Sequence, residues 1–328
     1  METTASISKR TRQYLRVYLD ILQVDTVLDF DLYIDNGNDV VLYRAANLPF
    51  DETNRQHLLE NNVTKLYVSA TDRRTYQQYL EANLDTIVSD PGIKESVKAG
   101  IVYESAKCLV EDLFAKPTMR KNIRRSQELV ESTVGFILTG HTALSTLLKV
   151  MSFDYSTYTH SVNVCTLSLA LAQFVGIKNP RDLKALGTGA LLHDIGKTKI
   201  SDSILNKVEP LTDSELDQIR RHPEWGYDIA KETDLIEPES YLPIIQHHER
   251  ENKSGYPHGI SGENIHRYGK ITAIADVFDA MTTIRVYRNA VDAYPALKEM
   301  FADTDAFDRQ LLEQFTKMLG PDNLASFS

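Results

Sequence analysis

The sequence predicts a mainly α-helical protein with a small α/β module near its N-terminal end. Apolar residues recur with helical spacing from Ile93 onward. Residues 28–90 instead contain short alternating segments that are typical of strands. In addition, five histidines and two aspartates are spread over residues 160–276 at intervals of about one helix plus a turn. This spacing indicates a helical bundle in which several helices each direct a side chain at one point.

The N-terminal module, residues 1–90, is predicted to have the order ββαβα. Phe30, Leu32 and Ile34 alternate with polar residues, and Asn36-Gly37-Asn38 provides the chemistry of a hairpin turn. The module shows no catalytic cluster, which favours a sensory, dimerising or docking role. Its predicted elements are a hairpin over residues 30–43, a helix over 51–60, a strand over 65–69 and a helix over 73–84.

Residues 91–150 are predicted to form a helical connector, followed by a third region over residues 151–328. One apolar stripe runs from Ile93 to Phe114 and a second over residues 123–148, and Pro117 marks the break between them. The pattern leaves open whether these helices join the bundle or form a connecting stalk.

Composition excludes several classes of protein. A chain of 328 residues with 42% hydrophobic content has room for two ordinary domains. Its net charge of −10 argues against a general nucleic-acid binder. Cys108 and Cys165 lie far apart in apolar settings, which predicts buried thiols in a reducing compartment. The first 20 residues are polar and residues 162–177 are too short and polar to span a bilayer, so we expect a soluble cytoplasmic protein without membrane insertion.

Seven residues are candidate metal ligands, because mixed sets of imidazole and carboxylate suit iron, manganese or zinc. Local sequence supports several of them. The His193-Asp194 pair closes an apolar stretch and precedes Gly196, so both neighbours can reach one metal pair near a helix end. Asp276 lies in an apolar run where a carboxylate is costly to bury without a cation. The seven are His160, His193, Asp194, His222, His247, His248 and Asp276.

Local sequence also bears on His222 and on Asp279, which lies close to Asp276 in the sequence. Thr212-Asp-Ser-Glu215 is a capping box that begins a helix ending near Arg221, and Pro223 suits the first turn of the next helix. His222 is therefore predicted to lie at a helix junction, where its side chain can turn inward. Asp279 is interpreted either as a helix-surface group or as a residue that supports a ligand.

Several segments around these residues resemble the HD-GYP subfamily of the HD-domain phosphohydrolases. The resemblance covers roughly residues 150–295. It implies an HD-type all-helical metal-binding bundle that hydrolyses cyclic di-GMP to the linear dinucleotide pGpG, or onward to GMP. The matching segments are ALLHDIGK over 190–197, HHERENKSGYP over 247–257, HSVNV over 160–164, ILNK over 204–207, IADVFDA over 274–280 and RVYR over 285–288.

The resemblance also implies two divalent metal ions, with iron as the first choice and manganese as the second. One ion takes His160, the His193-Asp194 pair and Asp276, while the other shares Asp194. The second ion is completed by His222, His247 and His248. Two ions bridged by a carboxylate can hold a water, lower its pKa and clamp the attacking and leaving oxygens of an in-line displacement. Ser156 stands where members with a third metal have Glu, so we expect two ions.

Substrate residues are predicted from the same resemblance. Lys197, grouped with Asp194 as a catalytic residue, is placed to neutralise a phosphate oxygen; the alternative is a solvated lysine. Arg285 and Arg288 lie three apart on one helical face and can grip a second phosphate or guanine, or else are ordinary surface charge. Tyr256 in Gly255-Tyr256-Pro257 is either a wall of the active site or a structural turn. In the family this loop is also a docking point for GGDEF-type cyclases.

The chain departs from the family pattern beside the predicted site. Glu251-Asn252-Lys253 replaces a usual Trp-Asp-Gly, and Lys270 replaces a usual Arg. Every predicted ligand is retained, but the altered loop motivates an alternative function, a receptor or adaptor that binds cyclic di-GMP and turns it over poorly. A third hypothesis is an HD-type enzyme for mononucleotides or another cyclic dinucleotide. The long amphipathic helices also make a homodimer an expectation.

Overall fold

A computed structural model of the chain describes residues 13–37, 39–139, 141–151, 156–283, 292–303 and 305–320. The chain divides into two compact units with a boundary between Lys98 and Ala99. The predicted fold class is confirmed, because the second unit consists of helices and the first contains a small sheet.

The first unit contains a four-stranded antiparallel sheet of order β1-β6-β3-β4 and a two-stranded pair, β2-β5. The predicted hairpin is formed by β3 and β4, with Ile34 opposite Val41. Phe30 packs edge to face on Tyr76 at a ring-centroid distance of 5.4 Å and fills the core. The elements are β1 (Tyr14–Tyr18), β2 (Thr26–Val27), β3 (Leu32–Asp35), β4 (Val40–Arg44), β5 (Pro49–Phe50), α1 (Glu52–Glu60), β6 (Lys65–Ser69), α2 (Arg73–Ala82) and α3 (Leu84–Ser89).

The helices that follow are joined by short connections, some of which form 3₁₀ turns. Asp213 begins a helix capped reciprocally by Thr212 and Glu215, as predicted. The helices are α4 (Glu95–Ala115), α5 (Arg120–Leu138), α6 (His141–Lys149), α7 (Thr157–Phe174), α8 (Pro180–Leu192), α9 (Asp202–Leu205), α10 (Asp213–Arg220), α11 (His222–Thr233), α12 (Tyr241–Gln246), α13 (Arg267–Thr282), α14 (Ala293–Ala302) and α15 (Arg309–Met318).

Two details of the helical region differ in how well the sequence predicted them. The break at Pro117 is confirmed, since α4 ends and α5 begins on either side of it. The second apolar stripe, residues 123–148, was predicted without an interruption but is divided between α5 and α6. Helix α5 packs on α8, where a Cβ added at Gly187 would lie only 2.8 Å from Val130 Cγ1. This part of the predicted connector therefore packs within the second unit.

Helix α7 is the central helix of the second unit. Residues 159–172 are buried on every side, as expected for a helix surrounded by others. It packs against α8 and α13, which bring His193, Asp194 and Asp276 toward it. Cys165 on this helix is buried, whereas Cys108 is only half-buried, contrary to the prediction for that residue. Among the described residues, no helix is both long enough and apolar enough to cross a lipid bilayer.

Candidate metal centre

All seven predicted ligands lie together in the second unit. They come from helix ends and from two central helices, so residues distant in sequence share one site. Six are buried and His248 is half-buried. The contributing positions are His160 on α7, His193 and Asp194 directly after α8, His222 at the start of α11, His247 and His248 directly after α12, and Asp276 on α13.

The far ring nitrogen of four of these histidines is fixed by an acceptor. The Nδ1 atom of His193 donates to the Ala190 carbonyl at 2.7 Å, and that of His222 donates to the Ile219 carbonyl at 2.7 Å. His247 Nδ1 lies 3.0 Å from the carbonyls of Pro243 and Ile244. His160 Nδ1 lies 2.6 Å from Asp279 Oδ2. Because each partner can only accept, Nδ1 carries a proton in all four rings. In the neutral rings of His193, His222 and His247, Nε2 therefore presents a lone pair.

These lone pairs point at one another. His222 Nε2 and His247 Nε2 are 3.1 Å apart, and among the described residues His193 Nε2 has no hydrogen-bond partner. Facing lone pairs in a buried site repel unless a proton or a cation lies between them. The residues present therefore fit a divalent metal, which binds neutral imidazole.

Asp194 has the geometry of a bridging carboxylate. Its Oδ1 faces one pair of histidines, 3.3 Å from His222 Nε2 and 4.0 Å from His247 Nε2. Its Oδ2 faces the other pair, 3.5 Å from His193 Nε2 and 3.7 Å from His160 Nε2. Since Oδ1 has no hydrogen-bond partner in the described structure despite being buried, it is available as a ligand.

The ligand atoms fall into two groups that can each hold one ion. One is formed by His160, His193 and Asp194, and the other by His222, His247 and His248. Asp276 borders both, with Oδ1 3.0 Å from His160 Nε2 and Oδ2 3.8 Å from His248 Nδ1. The resemblance implies a similar division with Asp276 on the first ion, and the assignment of each residue to an ion stays a prediction.

Charge in the site is strongly coupled. Burial opposes ionisation of Asp194, but Lys197 and the surrounding imidazoles outweigh it and hold the pKa of its carboxyl well below the ordinary value. Burial also opposes protonation of His160, but the hydrogen bonds that it donates to Asp276 and Asp279 raise its pKa to about 10. Burial lowers the pKa of His222 to about 4. Near pH 7 these shifts keep Asp194 and Asp276 ionised, His160 protonated and His222 neutral.

The lowered histidine pKa values predict acid sensitivity of the metal-free protein. His222, whose ordinary pKa is 6.5, takes up its proton more readily in the unfolded chain than in the folded one. The stability it contributes is present above pH 6.5 and is lost as the pH falls toward 4, by about 3 kcal/mol for this residue alone. Burial lowers the pKa of His193 and His247 as well and adds to the effect.

Urea unfolding of chelator-treated protein between pH 7 and pH 4.5 measures this loss. The exposed His258 provides the control, because His258→Ala leaves the buried cluster intact and is expected to keep the same pH profile. A free energy of unfolding that does not change across this interval would contradict the prediction.

The predicted substrate residues have three different outcomes. Lys197 Nζ lies 2.6 Å from Asp194 Oδ2, at the edge of the cluster. Tyr256 is half-buried and stacks on His248 at 4.5 Å between ring centroids, with the rings inclined by 25°. Arg285 and Arg288 lie outside the described residues, and their predicted roles stay predictions.

Sequence reasoning missed Glu249, which shapes the loop carrying Tyr256. Its buried carboxylate accepts from the backbone N–H of His258 at 2.8 Å and of Ile260 at 3.1 Å. The loop closes on itself where Tyr256 N donates to the His248 carbonyl at 3.1 Å. A Cβ at Gly255 would lie 2.4 Å from that carbonyl oxygen, so only glycine permits the approach. The burial of Glu249 and its two acceptor contacts are set by tertiary packing, so the sequence carried no local signal for this role.

Replacing Glu249 by Ala is expected to destabilise the protein. Two buried N–H groups lose a charged acceptor, at a cost of about 3 kcal/mol. Urea unfolding measures the change, and Glu263→Ala, an exposed glutamate in the adjoining turn, is the matched control with an expected change within about 0.5 kcal/mol. Equal stability of the two variants would show that Glu249 does not hold the loop.

The departures from the family pattern contact each other. Lys270 Nζ lies 2.9 Å from Glu251 Oε1 and 3.5 Å from Asp308 Oδ2. Lys253, where the family usually has Gly, has a φ of 65°, in the left-handed region that favours glycine. The loop thus keeps a conformation suited to the family's glycine, while one replaced side chain forms a local ion pair.

The fold and the cluster together define a helical unit with a candidate dinuclear metal centre. A family model described as the HD domain matches residues 143–311, slightly more than half of the chain. A solved HDG"Y"P protein from Bdellovibrio bacteriovorus has the same fold, with a TM-score of 0.64 and 24% identity over 93% of this chain and 99% of its own. The chain therefore belongs to the HD-domain family, and the resemblance to HD-GYP proteins is confirmed.

Named relatives are similar over parts of their length. A cyclic di-GMP phosphodiesterase of Pseudomonas aeruginosa is 33% identical over 231 residues, which cover 70% of this chain and 56% of the relative. One from Thermotoga maritima is 28% identical over 75% of this chain and 68% of the relative. A 3'3'-cGAMP-specific phosphodiesterase of Vibrio cholerae is 38% identical over 137 residues, 41% of this chain and 31% of the relative. The chain thus spans only about half the length of the Pseudomonas relative.

Proposed function

We propose that this chain is a metal-dependent phosphodiesterase that hydrolyses cyclic di-GMP to pGpG, and onward to GMP. The observation that carries the proposal is the convergence of four imidazole Nε2 atoms around a carboxylate whose two oxygens face different histidine pairs. The names of the Pseudomonas and Thermotoga relatives support the choice of substrate.

The proposed centre holds two divalent ions, with iron preferred over manganese. His160, His193 and Asp194, bordered by Asp276, hold one ion, and His222, His247 and His248 hold the other with Asp194 shared. When bound, such ions polarise a phosphodiester and lower the pKa of water.

The chain's own residues supply positioning and charge. Lys197, which is only partly buried, neutralises a non-bridging phosphate oxygen after turning away from Asp194. Tyr256 offers an aromatic face beside the cluster, where a guanine base can stack. Arg285 and Arg288 are assigned to the second phosphate or to guanine. Gly255–Pro257 is also the proposed contact for GGDEF-type cyclases, in a chain proposed to form a homodimer.

Two specific observations motivate other candidates. Similarity to the Vibrio cholerae enzyme named for 3'3'-cGAMP supports hydrolysis of a different cyclic dinucleotide. The Glu251-Lys270 pair beside the loop, in place of the family's usual residues, supports a receptor that binds cyclic di-GMP without efficient turnover.

Turnover by protein purified without oxygen, with metal content determined on the same sample, tests these candidates together. Cyclic di-GMP, 3'3'-cGAMP and cyclic di-AMP are offered separately to iron-loaded and manganese-loaded protein. Two metals per chain with pGpG or GMP appearing from cyclic di-GMP is the expected result. Faster cleavage of another dinucleotide would replace the substrate, and tight binding without product would replace the enzyme by the receptor.

A further inference from the structure

A buried chain of hydrogen bonds leads from His160 away from the metal centre. His160 Nδ1 donates to Asp279 Oδ2 at 2.6 Å, and Asn163 Nδ2 donates to Asp279 Oδ1 at 2.7 Å. Tyr103 Oη donates in turn to Asn163 Oδ1 at 2.8 Å. Tyr103, Asn163 and Asp279 lie on α4, α7 and α13 and are all buried, which excludes the surface position that the sequence left open for Asp279.

Asp279 sets His160 apart from the other anchored histidines. Within the described part of the chain, His193, His222 and His247 use backbone carbonyls as acceptors, whereas His160 uses a carboxylate. A buried carboxylate is costly unless it is hydrogen-bonded. Here both of its oxygens accept from a fixed donor. A carboxylate behind a metal-binding imidazole fixes the ring and increases the basicity of the nitrogen that faces the ion.

We propose that Asp279, held by Asn163 and Tyr103, is a positioning residue that orients His160 and strengthens its hold on one metal ion. The inference rests on the proposed metal centre and adds residues that contact neither ion nor substrate. The second ion, held by His222, His247 and His248, lies outside this hydrogen-bond chain.

The order of donors and acceptors in this series of hydrogen bonds provides a test. A carboxylate only accepts, so Asn163 must turn its amide nitrogen toward Asp279 and its oxygen toward Tyr103. Exchanging the two residues, in the double variant Asn163→Asp with Asp279→Asn, preserves net charge and nearly all volume. Asn at 279 then accepts from His160 and donates to Asp at 163, which still accepts from Tyr103. The three hydrogen bonds described above survive, but a neutral amide replaces the carboxylate behind His160.

Titration of the metal-free protein with Mn²⁺ alone, with free Mn²⁺ followed by electron paramagnetic resonance, measures both sites without any nucleotide. We expect the exchanged variant to unfold at a temperature close to that of wild type. It is expected to bind one of its two ions about 10- to 100-fold more weakly and the other with unchanged affinity. Wild-type affinity at both sites would overturn the inference, because a merely structural role is preserved by the exchange.

Two further measurements keep the outcome decisive. If the exchanged variant does not fold, Asp279→Asn alone is expected to weaken the same ion, and unchanged Mn²⁺ affinity in that variant would overturn the inference. Wild-type protein that binds no Mn²⁺, Fe²⁺ or Zn²⁺ would instead overturn the proposed metal centre, and with it the inference. Loss of one site with nucleotide hydrolysis absent even in wild type would leave the inference standing and remove the proposed activity.

Discussion

Replacing Asp194 by Asn is expected to remove metal loading and phosphodiesterase activity together while the chain stays folded. The amide has the size of the carboxylate, but it offers one ligand oxygen where two are needed to face both histidine pairs. Its loss also removes the negative charge that offsets two cations in a buried site. We expect the transition state to lose about 4 kcal/mol of stabilisation by the metal ions, which lowers turnover about a thousandfold. Metal content is expected to fall from two ions per chain to fewer than one.

The control for this variant is an aspartate of the same neighbourhood that lies outside the cluster. Asp202 is exposed at the start of α9, and Asp202→Asn changes the net charge equally. It is expected to keep both metal content and turnover. Metal analysis and cyclic di-GMP hydrolysis on the same samples decide the matter. Full loading and full activity in Asp194→Asn would contradict both the bridging role and the mechanism built on it.

The members of the candidate metal cluster could be singled out in the sequence because they lie at helix ends or inside apolar runs. A buried carboxylate such as Asp276 requires a cation or a hydrogen-bond donor, and its apolar neighbours in the sequence already predict this burial. The capping box of Thr212 and Glu215 predicts where α10 begins, and Pro223 predicts where α11 begins. Together they place His222 at the junction between these two helices. These inferences need only neighbours in sequence, so they can be made without knowing the fold. The structure brings the residues that they identify close together.

Residues that act through distant partners could not be found in this way. Glu249 accepts from N–H groups nine and eleven residues downstream, and Asp279 is linked to Tyr103 through Asn163. Strand β1 was missed for the same reason, since its place in the sheet depends on pairing with β6, some 50 residues later. Such roles follow from tertiary packing, and one sequence carries no local mark of them.

Gly196 is another residue whose role depends on packing against a distant part of the chain. Replacing it by Ala adds one methyl group, and we expect this to be among the most destabilising additions of that size. A Cβ at this position would lie 1.9 Å from the His222 carbonyl oxygen and 2.5 Å from Gly226 N. Both are backbone atoms of α11, so neither can rotate aside. The turn over residues 195–199 must then separate from α11, which moves His222 away from Asp194. We expect a loss of about 3 kcal/mol or more in the free energy of unfolding, together with weaker metal binding.

The opposite result is expected for Gly135→Ala, which makes the same chemical change on α5. Nothing lies within 4 Å of a Cβ added at Gly135, so the substitution is expected to stabilise the protein by about 0.5–1 kcal/mol by restricting the unfolded chain. Urea unfolding of both metal-free variants, followed by Mn²⁺ titration, separates packing from helix propensity. Equal stabilities would mean that residues 195–199 are not held against α11, and the 3.3 Å approach of His222 Nε2 to Asp194 Oδ1 would then lack its structural cause.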